Sequence, residues 1–353
     1  MRFTPGNARA IGSRQEQQDA FGFSDPARSA FLAHAGFLVV IADGMGGMSY
    51  GAVAASGAVR SFLAAYHAKP PREPVAATLA RSLQQANEAI ETLARELQCE
   101  GELGSTLAAA VLHRDGLYWI AVGDSRIYVC RGKRLIRLTE DHTRGADLDD
   151  EVADGRLDPE AARTDPGRHR LSSYLGLPAL PHIDWNRRAF PLQPGDSILL
   201  CSDGLYRVLT EEEIVAAIGG NAQQICDSLV ESALAKGHAN QDNTTVAMIQ
   251  LVSGERRWAP WMTTAIAACL LLVGAVLALR LWMPHRSAIQ PRPTAASAAD
   301  TAAMPASPAS LPVPKKGPSG RPRPKRVPAP PDRPILAPPP QPQPEAPPPP
   351  ERK

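Results

Sequence analysis

Residues 107 to 131 read LAAAVLHRDGLYWIAVGDSRIYVCR, three apolar runs parted by two short polar breaks. Their length and their β-branched and aromatic content mark strands over Leu107 to His113, Leu117 to Val122 and Arg126 to Arg131. Asp115-Gly116 is a hairpin turn signal between the first two, and only Gly123, Asp124 and Ser125 separate the second from the third. Breaks this short cannot carry the crossover that parallel neighbours need, so these strands run antiparallel.

Outward from this block the pattern continues. Phe37 to Ala42, Ser197 to Cys201 and Thr244 to Leu251 are further apolar strands, while Ala52 to His67, Val75 to Leu97, Glu211 to Ile218 and Ala222 to Lys236 carry helical patterns. Thr210 followed by Glu213 resembles a capping box. Strands paired first among themselves, with helices in separate runs, predict an α+β class in which helix layers cover antiparallel sheets. A doubly wound parallel fold is not expected.

Most of the 35 prolines fall from Pro284 onward, in a stretch of Pro, Ala, Ser, Gln and basic residues. It lacks the apolar content to offset the entropy of ordering, so a disordered Pro-rich basic tail is expected over 283–353. From Ser287 to Lys353 there are ten Lys or Arg against four Asp or Glu, and the whole chain is +2, which leaves the remainder mildly acidic. An acidic folded part argues against a nucleic-acid surface and suits a carboxylate-rich metal site. The cysteines (Cys99, Cys130, Cys201, Cys226, Cys269) are odd in number, dispersed and without a CxxC pair, and read as reduced core residues.

Trp258 to Leu279 contains no charged residue, long enough to span a bilayer. Arg256 and Arg257 on one side, Arg280 and Arg286 on the other, and Trp258, Trp261 and Trp282 at the borders fit the interfacial pattern. A buried core helix is the alternative. The expected organisation is a folded domain over 1–253, a linker over 254–257, a transmembrane helix over 258–282 and the tail. No apolar stretch follows the basic residues of Met1 to Ala10, so no cleavable signal is expected. The reading is a single-pass protein of the inner (cytoplasmic) membrane with its folded domain in the cytoplasm.

Four apolar strands each deliver an aspartate at an end or turn: Asp43 in IADGMGG, Asp124 in AVGDSR, Asp203 in LLCSDG and Asp242 in QDNTT. Singly, each reads as an ordinary strand terminator. Together they put several carboxylates at the edge of a core, where unpaired charge is costly and divalent cations would satisfy several at once. Oxygen ligands without clustered His or Cys point to Mg²⁺ or Mn²⁺ and not to zinc. Glycine beside Asp43 and Asp203 permits close backbone approach, so that the Gly44 carbonyl can join the ligands.

The ordered segments GSRQEQQDAF (12–21), ADGMGGMSYGAVAAS (42–56), GSTLAAAVL (104–112), VGDSRIY (122–128), LTEDHT (138–143), LCSDGL (200–205) and QDNTTV (241–246) resemble the type 2C, metal-dependent serine/threonine protein phosphatases in their bacterial form. The resemblance implies a four-layer α-β-β-α sandwich of two mostly antiparallel sheets, with a two-metal centre at one end. By position, Asp43 resembles the carboxylate bridging both ions, Gly44 a carbonyl ligand of one, and Asp203 and Asp242 ligands of the other. Asp124 with Asp203 resembles a third, weaker site. Arg14 falls at the phosphate-binding arginine and Asp19 at an acid that orients water. The resemblance further implies hydrolysis of phosphoserine and phosphothreonine in proteins by a water activated between two Mn or Mg ions, opposing a serine/threonine kinase.

Three positions depart from the pattern. Gln18 stands where many relatives carry glutamate, Met48 where bacterial relatives often have histidine, and Met45 at the position of a general-acid histidine. They motivate the alternative, a degenerate phosphatase fold acting as a membrane-tethered phosphoprotein-binding module. Residues 144–177 resemble a flap beside the active site or, equally, a surface loop. His142 is expected to be structural.

Overall fold

The computed structural model describes residues 2–46, 50–252 and 271–280. The described elements run β1 (Phe3–Ala10), β2 (Asp19–Phe23), α1 (Ser29–Ala35), β3 (Phe37–Met45), α2 (Tyr50–His67), α3 (Val75–Glu96), β4 (Gly104–Ser105), β5 (Leu107–His113), β6 (Gly116–Val122), β7 (Arg126–Arg131), β8 (Arg134–Arg137) and α4 (Arg144–Ala153). They continue with α5 (Pro159–Thr164), β9 (Asp184–Trp185), β10 (Ser197–Cys201), α6 (Asp203–Tyr206), α7 (Glu211–Ala216), α8 (Ala222–Ala235) and β11 (Thr244–Leu251). One sheet has the order β1-β11-β10-β7-β8; the other runs β2-β3-β5-β6-β9, with β4 on the end of β3. The pairings are antiparallel in both.

Strand alternation builds the layers. From β3, Phe37, Val39 and Ile41 point between the sheets, where they meet Ile127 and Val129 of β7, Ile198 and Leu200 of β10, and Ala247 and Ile249 of β11. The intervening Leu38, Val40 and Ala42 face the other way and pack on α2 and α3 through Phe62, Leu79, Leu83 and Ile90. On the far sheet, Tyr128, Leu199, Cys201, Val246 and Met248 face Ile225, Cys226 and Leu229 of α8. Both faces of each central strand are therefore covered, as in the expected four-layer sandwich, and these strands read as unbroken apolar runs. In α3 the buried residues Val75, Leu79, Leu83, Ala86, Ile90 and Ala94 recur at helical spacing. All three cores lie within residues 3–251.

The six expected strands and four expected helices are present. Thr210–Glu213 and Asn221–Gln224 both form capping boxes. Three differences matter. β3 runs on to Met45, because β2 pairs with it at Asp43 and β4 pairs at Gly44 and Met45. Asp43 thus lies inside a strand's last residues and not beyond its end. Residues 144–177 carry two short helices, α4 capped by the Thr143 side chain and α5 by that of Asp158. β1, β2 and α1 add an edge that the apolar pattern did not predict.

Cys99, Cys130, Cys201 and Cys226 are free and buried, as read, and burial pushes the Cys130 and Cys226 thiols up to about 12. Cys269 and Met48, the linker and the tail lie outside the described residues. So does the expected span 258–282, apart from residues 271–280, which are helical. Among the described residues no helix is long and apolar enough to cross a membrane.

Candidate metal centre

Five aspartates arrive at one end of the two sheets from five different places. Asp19 and Asp43 sit opposite one another on β2 and β3. Asp124 occupies the turn between β6 and β7, Asp203 is the first residue of α6 after β10, and Asp242 stands two residues before β11. They are close enough that Asp43 is raised well above the ordinary carboxylate range, first by burial and then by repulsion from Asp19, Asp203, Asp124 and Asp242. Burial followed by the charge on Asp124 pushes Asp203 up to about 7. Burial lifts Asp19 to about 6, against hydrogen bonds that hold it down, and raises Asp124 as well. Protein groups alone leave this cluster short of positive charge.

The hydrogen-bond inventory agrees. Among the described residues, Asp19 Oδ1 and Asp203 Oδ1 are enclosed and have no hydrogen-bond partner, an arrangement that costs free energy unless a cation or water supplies one. The same atoms fit the oxygen ligands of a hard cation. No three of the described acidic, His or Cys side chains form a closed ligand set by themselves. Any centre here is completed by carbonyl and water oxygens, as hard cations ordinarily are.

The glycines fix the backbone around these acids. A Cβ on Gly44 would stand 1.9 Å from the Gly51 carbonyl oxygen, and one on Gly51 would stand 2.8 Å from the Gly44 oxygen and 2.7 Å from Gln18 Cδ. β3 and the start of α2 close on each other only because neither position has a side chain. The Gly44 carbonyl and the Gln18 side chain consequently lie against one spot, so Gln18 keeps its place beside the predicted ligand. At Gly204 a Cβ would fall 2.1 Å from the Asn243 oxygen, which brings Asp203 and Asp242 together.

Residues that sequence reasoning did not single out hold these acids in place. Thr106 Oγ1 accepts the Asp43 N–H at 2.9 Å and joins Ser125 Oγ at 2.8 Å. Ser202 donates to Asp19 Oδ2 at 2.8 Å. Asn243 donates to the carbonyls of Ile11 and Glu16 and accepts the Gln18 N–H, stapling the loop that carries Arg14. Tyr206 and Arg207 both donate to Asp124 Oδ2, at 3.2 and 3.1 Å. The signal for Thr106, Ser202 and Asn243 was their place inside the quoted segments; Tyr206 and Arg207 lie just beyond one of them.

Arg14 is half-exposed at the rim, with Nη2 donating to Asp242 Oδ2 at 2.7 Å. Residues 144–177 are tied to the site at both ends. Gly123 donates to His142 Nδ1, and the His142 N–H returns to the Gly123 carbonyl; at the far end Leu175 bridges to Ser105 beside β3. Tyr174 lies over Gly104, where an added Cβ would stand 2.6 Å from its ring and 2.9 Å from Met45 Cε. The segment is therefore anchored beside the cluster at both ends. His142 is buried, and burial followed by the neighbouring His182 lowers it to about 4, consistent with the structural role expected.

A family model described as protein phosphatase 2C matches residues 8–241. The serine/threonine phosphatase stp of Listeria welshimeri is 30% identical over 216 residues, covering 60% of this chain and 84% of its own. The serine/threonine protein phosphatase PstP of Mycobacterium tuberculosis is 33% identical over 222 residues, or 61% of this chain and 40% of that protein. Among solved structures, the catalytic domain of PstP in complex with two manganese ions superposes with a TM-score of 0.54 at 28% identity, covering 71% of this chain and 98% of that one.

Proposed function

The chain belongs to the protein phosphatase 2C family, and from that premise we propose that it releases phosphate from phosphoserine and phosphothreonine in proteins at a Mn²⁺ or Mg²⁺ centre held by Asp43, Gly44, Asp203 and Asp242. The carrying observation is the convergence of five mutually repelling aspartates with enclosed, unpartnered oxygens at the end of the sandwich. The manganese complex of the PstP catalytic domain supports the choice of ion.

Bound there, two divalent cations would lower the pKa of a water and neutralise phosphoryl oxygens. The chain's own residues do the rest. Asp43, fixed through its N–H by Thr106, would supply its carboxylate to the ions. Asp19, held by Ser202, orients the attacking water from the strand opposite. Arg14 turns its planar guanidinium from Asp242 toward two phosphoryl oxygens, a geometry suited to its paired donors. Met45 supplies no proton, so the leaving alkoxide takes its proton from water. Residues 144–177 cover the phosphopeptide. No side-chain nucleophile is required, and the buried thiols are held protonated, away from any such role.

In the cell the folded domain would face the cytoplasm, anchored to the inner membrane by residues 258–282, and would oppose a serine/threonine kinase on shared substrates. Phosphate release from a phosphothreonine peptide by residues 1–253 tests the catalytic reading. Release that requires Mn²⁺ and is abolished by EDTA, Asp43→Asn and Asp203→Asn is the expected result. A well-folded, metal-loaded domain that binds phosphopeptide without turnover would instead favour the binding module motivated by Gln18, Met45 and Met48.

A further inference from the structure

Arg207 has no part in the chemistry above, yet it pairs with two carboxylates of the cluster. It lies one helical turn after Asp203, and a pair at that spacing on an exposed helix contributes little. Here the same Nη2 also reaches another element. It is 3.0 Å from Asp203 Oδ2 and 3.1 Å from Asp124 Oδ2, whose side chains are only 11% and 6% exposed, while the arginine itself is 42% exposed and extends in from the rim. That nitrogen thus lies against one oxygen of each buried carboxylate, hydrogen-bonded to Asp124 and ion-paired with Asp203. The Tyr206 hydroxyl adds a contact to the same Asp124 oxygen at 3.2 Å and to the Asp124 carbonyl at 3.1 Å. The Arg126 guanidinium lies over the Tyr206 ring at 3.4 Å from its centroid and pairs with Asp141 at 2.7 Å, which holds Tyr206 in that pose.

A divalent cation bridging Asp124 and Asp203 would need roughly 2.0–2.6 Å to each oxygen. The Arg207 nitrogen stands in that space, and the two positive charges could not share it. We propose that Arg207 is a tethered cation that takes the place of a third metal ion between Asp124 and Asp203, so that this chain holds two divalent ions and excludes a third. The inference rests on the two-ion phosphatase reading and adds to it a residue that sets metal stoichiometry. It also gives Asp124 a role without an ion, because the carboxylate anchors the arginine that keeps Asp203 oriented.

The test is a count of bound Mn²⁺, with free ion followed by electron paramagnetic resonance, in the detergent-solubilised full chain and in its Arg207→Met, Arg207→Lys and Arg207→Met/Asp124→Asn variants. Thermal melting checks that each is folded. Wild type is expected to saturate at two ions. Arg207→Met is expected to gain a third, at least tenfold tighter than any third-ion binding in wild type, and to lose it again when Asp124→Asn is added. Arg207→Lys, which keeps the charge, is expected to suppress the third ion in part. A third ion bound equally in wild type and Arg207→Met, or absent from a folded Arg207→Met that still binds two, overturns the proposal alone. Folded proteins that bind no Mn²⁺ would overturn both it and the metal-centre reading.

Discussion

Replacing a ligand of the proposed centre should make the metal-free domain more stable, and Asp203→Asn is the cleanest case. Asp203 is held at about 7 against an ordinary value of 3.8, and at about 1.4 kcal/mol per pH unit this corresponds to roughly 4 kcal/mol of strain when the carboxylate is ionised. That figure already includes the attraction of Arg207, which holds Asp203 down against burial and Asp124. A gain of up to about 4 kcal/mol is therefore expected at pH 8 in EDTA, or a melting temperature higher by roughly 8–16 °C for a domain of this size.

The pH dependence gives the sign. Folded Asp203 keeps its proton to higher pH than the unfolded chain does, so its contribution is most favourable below the unfolded value. That contribution is lost as pH rises from about 3.8 to about 7. The advantage of Asp203→Asn should accordingly be near zero at pH 4 and complete at pH 8. In saturating Mn²⁺ the order should reverse, because only the wild type gains the binding free energy of the ion. Thermal or urea unfolding of residues 1–253 in EDTA and in Mn²⁺, between pH 4 and pH 8, measures all three quantities. A variant less stable than wild type in EDTA at pH 8, or a gain that does not vary with pH, would refute the argument that like-charge burial dominates this site.

The proton competition should also appear in binding: apparent Mn²⁺ affinity is expected to fall steeply from pH 8 to pH 5.5, as Asp203 and then Asp19, at about 7 and about 6, take up protons, and titration calorimetry at several pH values would detect a flat profile. Arg14→Ala should lower kcat/KM on a phosphothreonine peptide by about 10–100-fold, the order expected for a charge-assisted hydrogen-bond pair, with Arg14→Lys recovering only part of it. Mn²⁺ binding should survive in both, and its loss would move Arg14 from substrate to metal. Gly44→Ala drives a Cβ to 1.9 Å from backbone oxygen, so Mn²⁺ affinity and activity should collapse while far-ultraviolet circular dichroism still reports both sheets; wild-type affinity would show that the contact with Gly51 relaxes freely.

What the sequence revealed and what it concealed have separate physical causes. Strands β3, β5, β6, β7, β10 and β11 were legible because they are central and buried, which demands continuous apolar runs. β1 was not: FTPGNARA carries Pro5 and Gly6 and no apolar run, yet among the described residues it is an edge strand paired to β11. Proline is tolerated at an edge, and Gly6 is needed because a Cβ there would strike the Ala222 backbone at 2.4 Å. In α4 a polar surface gives no apolar stripe, and Thr143 as N-cap was the available sign.

Within the site the division is sharper. Asp43, Asp124, Asp203 and Asp242 stood out because a carboxylate closing an apolar strand violates the cost of burying charge. Ser202 and Thr106 could not stand out, since a hydroxyl beside a strand violates nothing; their meaning lies in bonds to Asp19 and Asp43, 183 and 63 residues away. Arg207 is intermediate, for its spacing from Asp203 was visible, whereas its second contact, to Asp124, exists only once β6 and β10 deliver their ends to one place. The acids of such a centre are thus readable in one dimension because folding strains them, and the groups that relieve the strain become readable only in the fold.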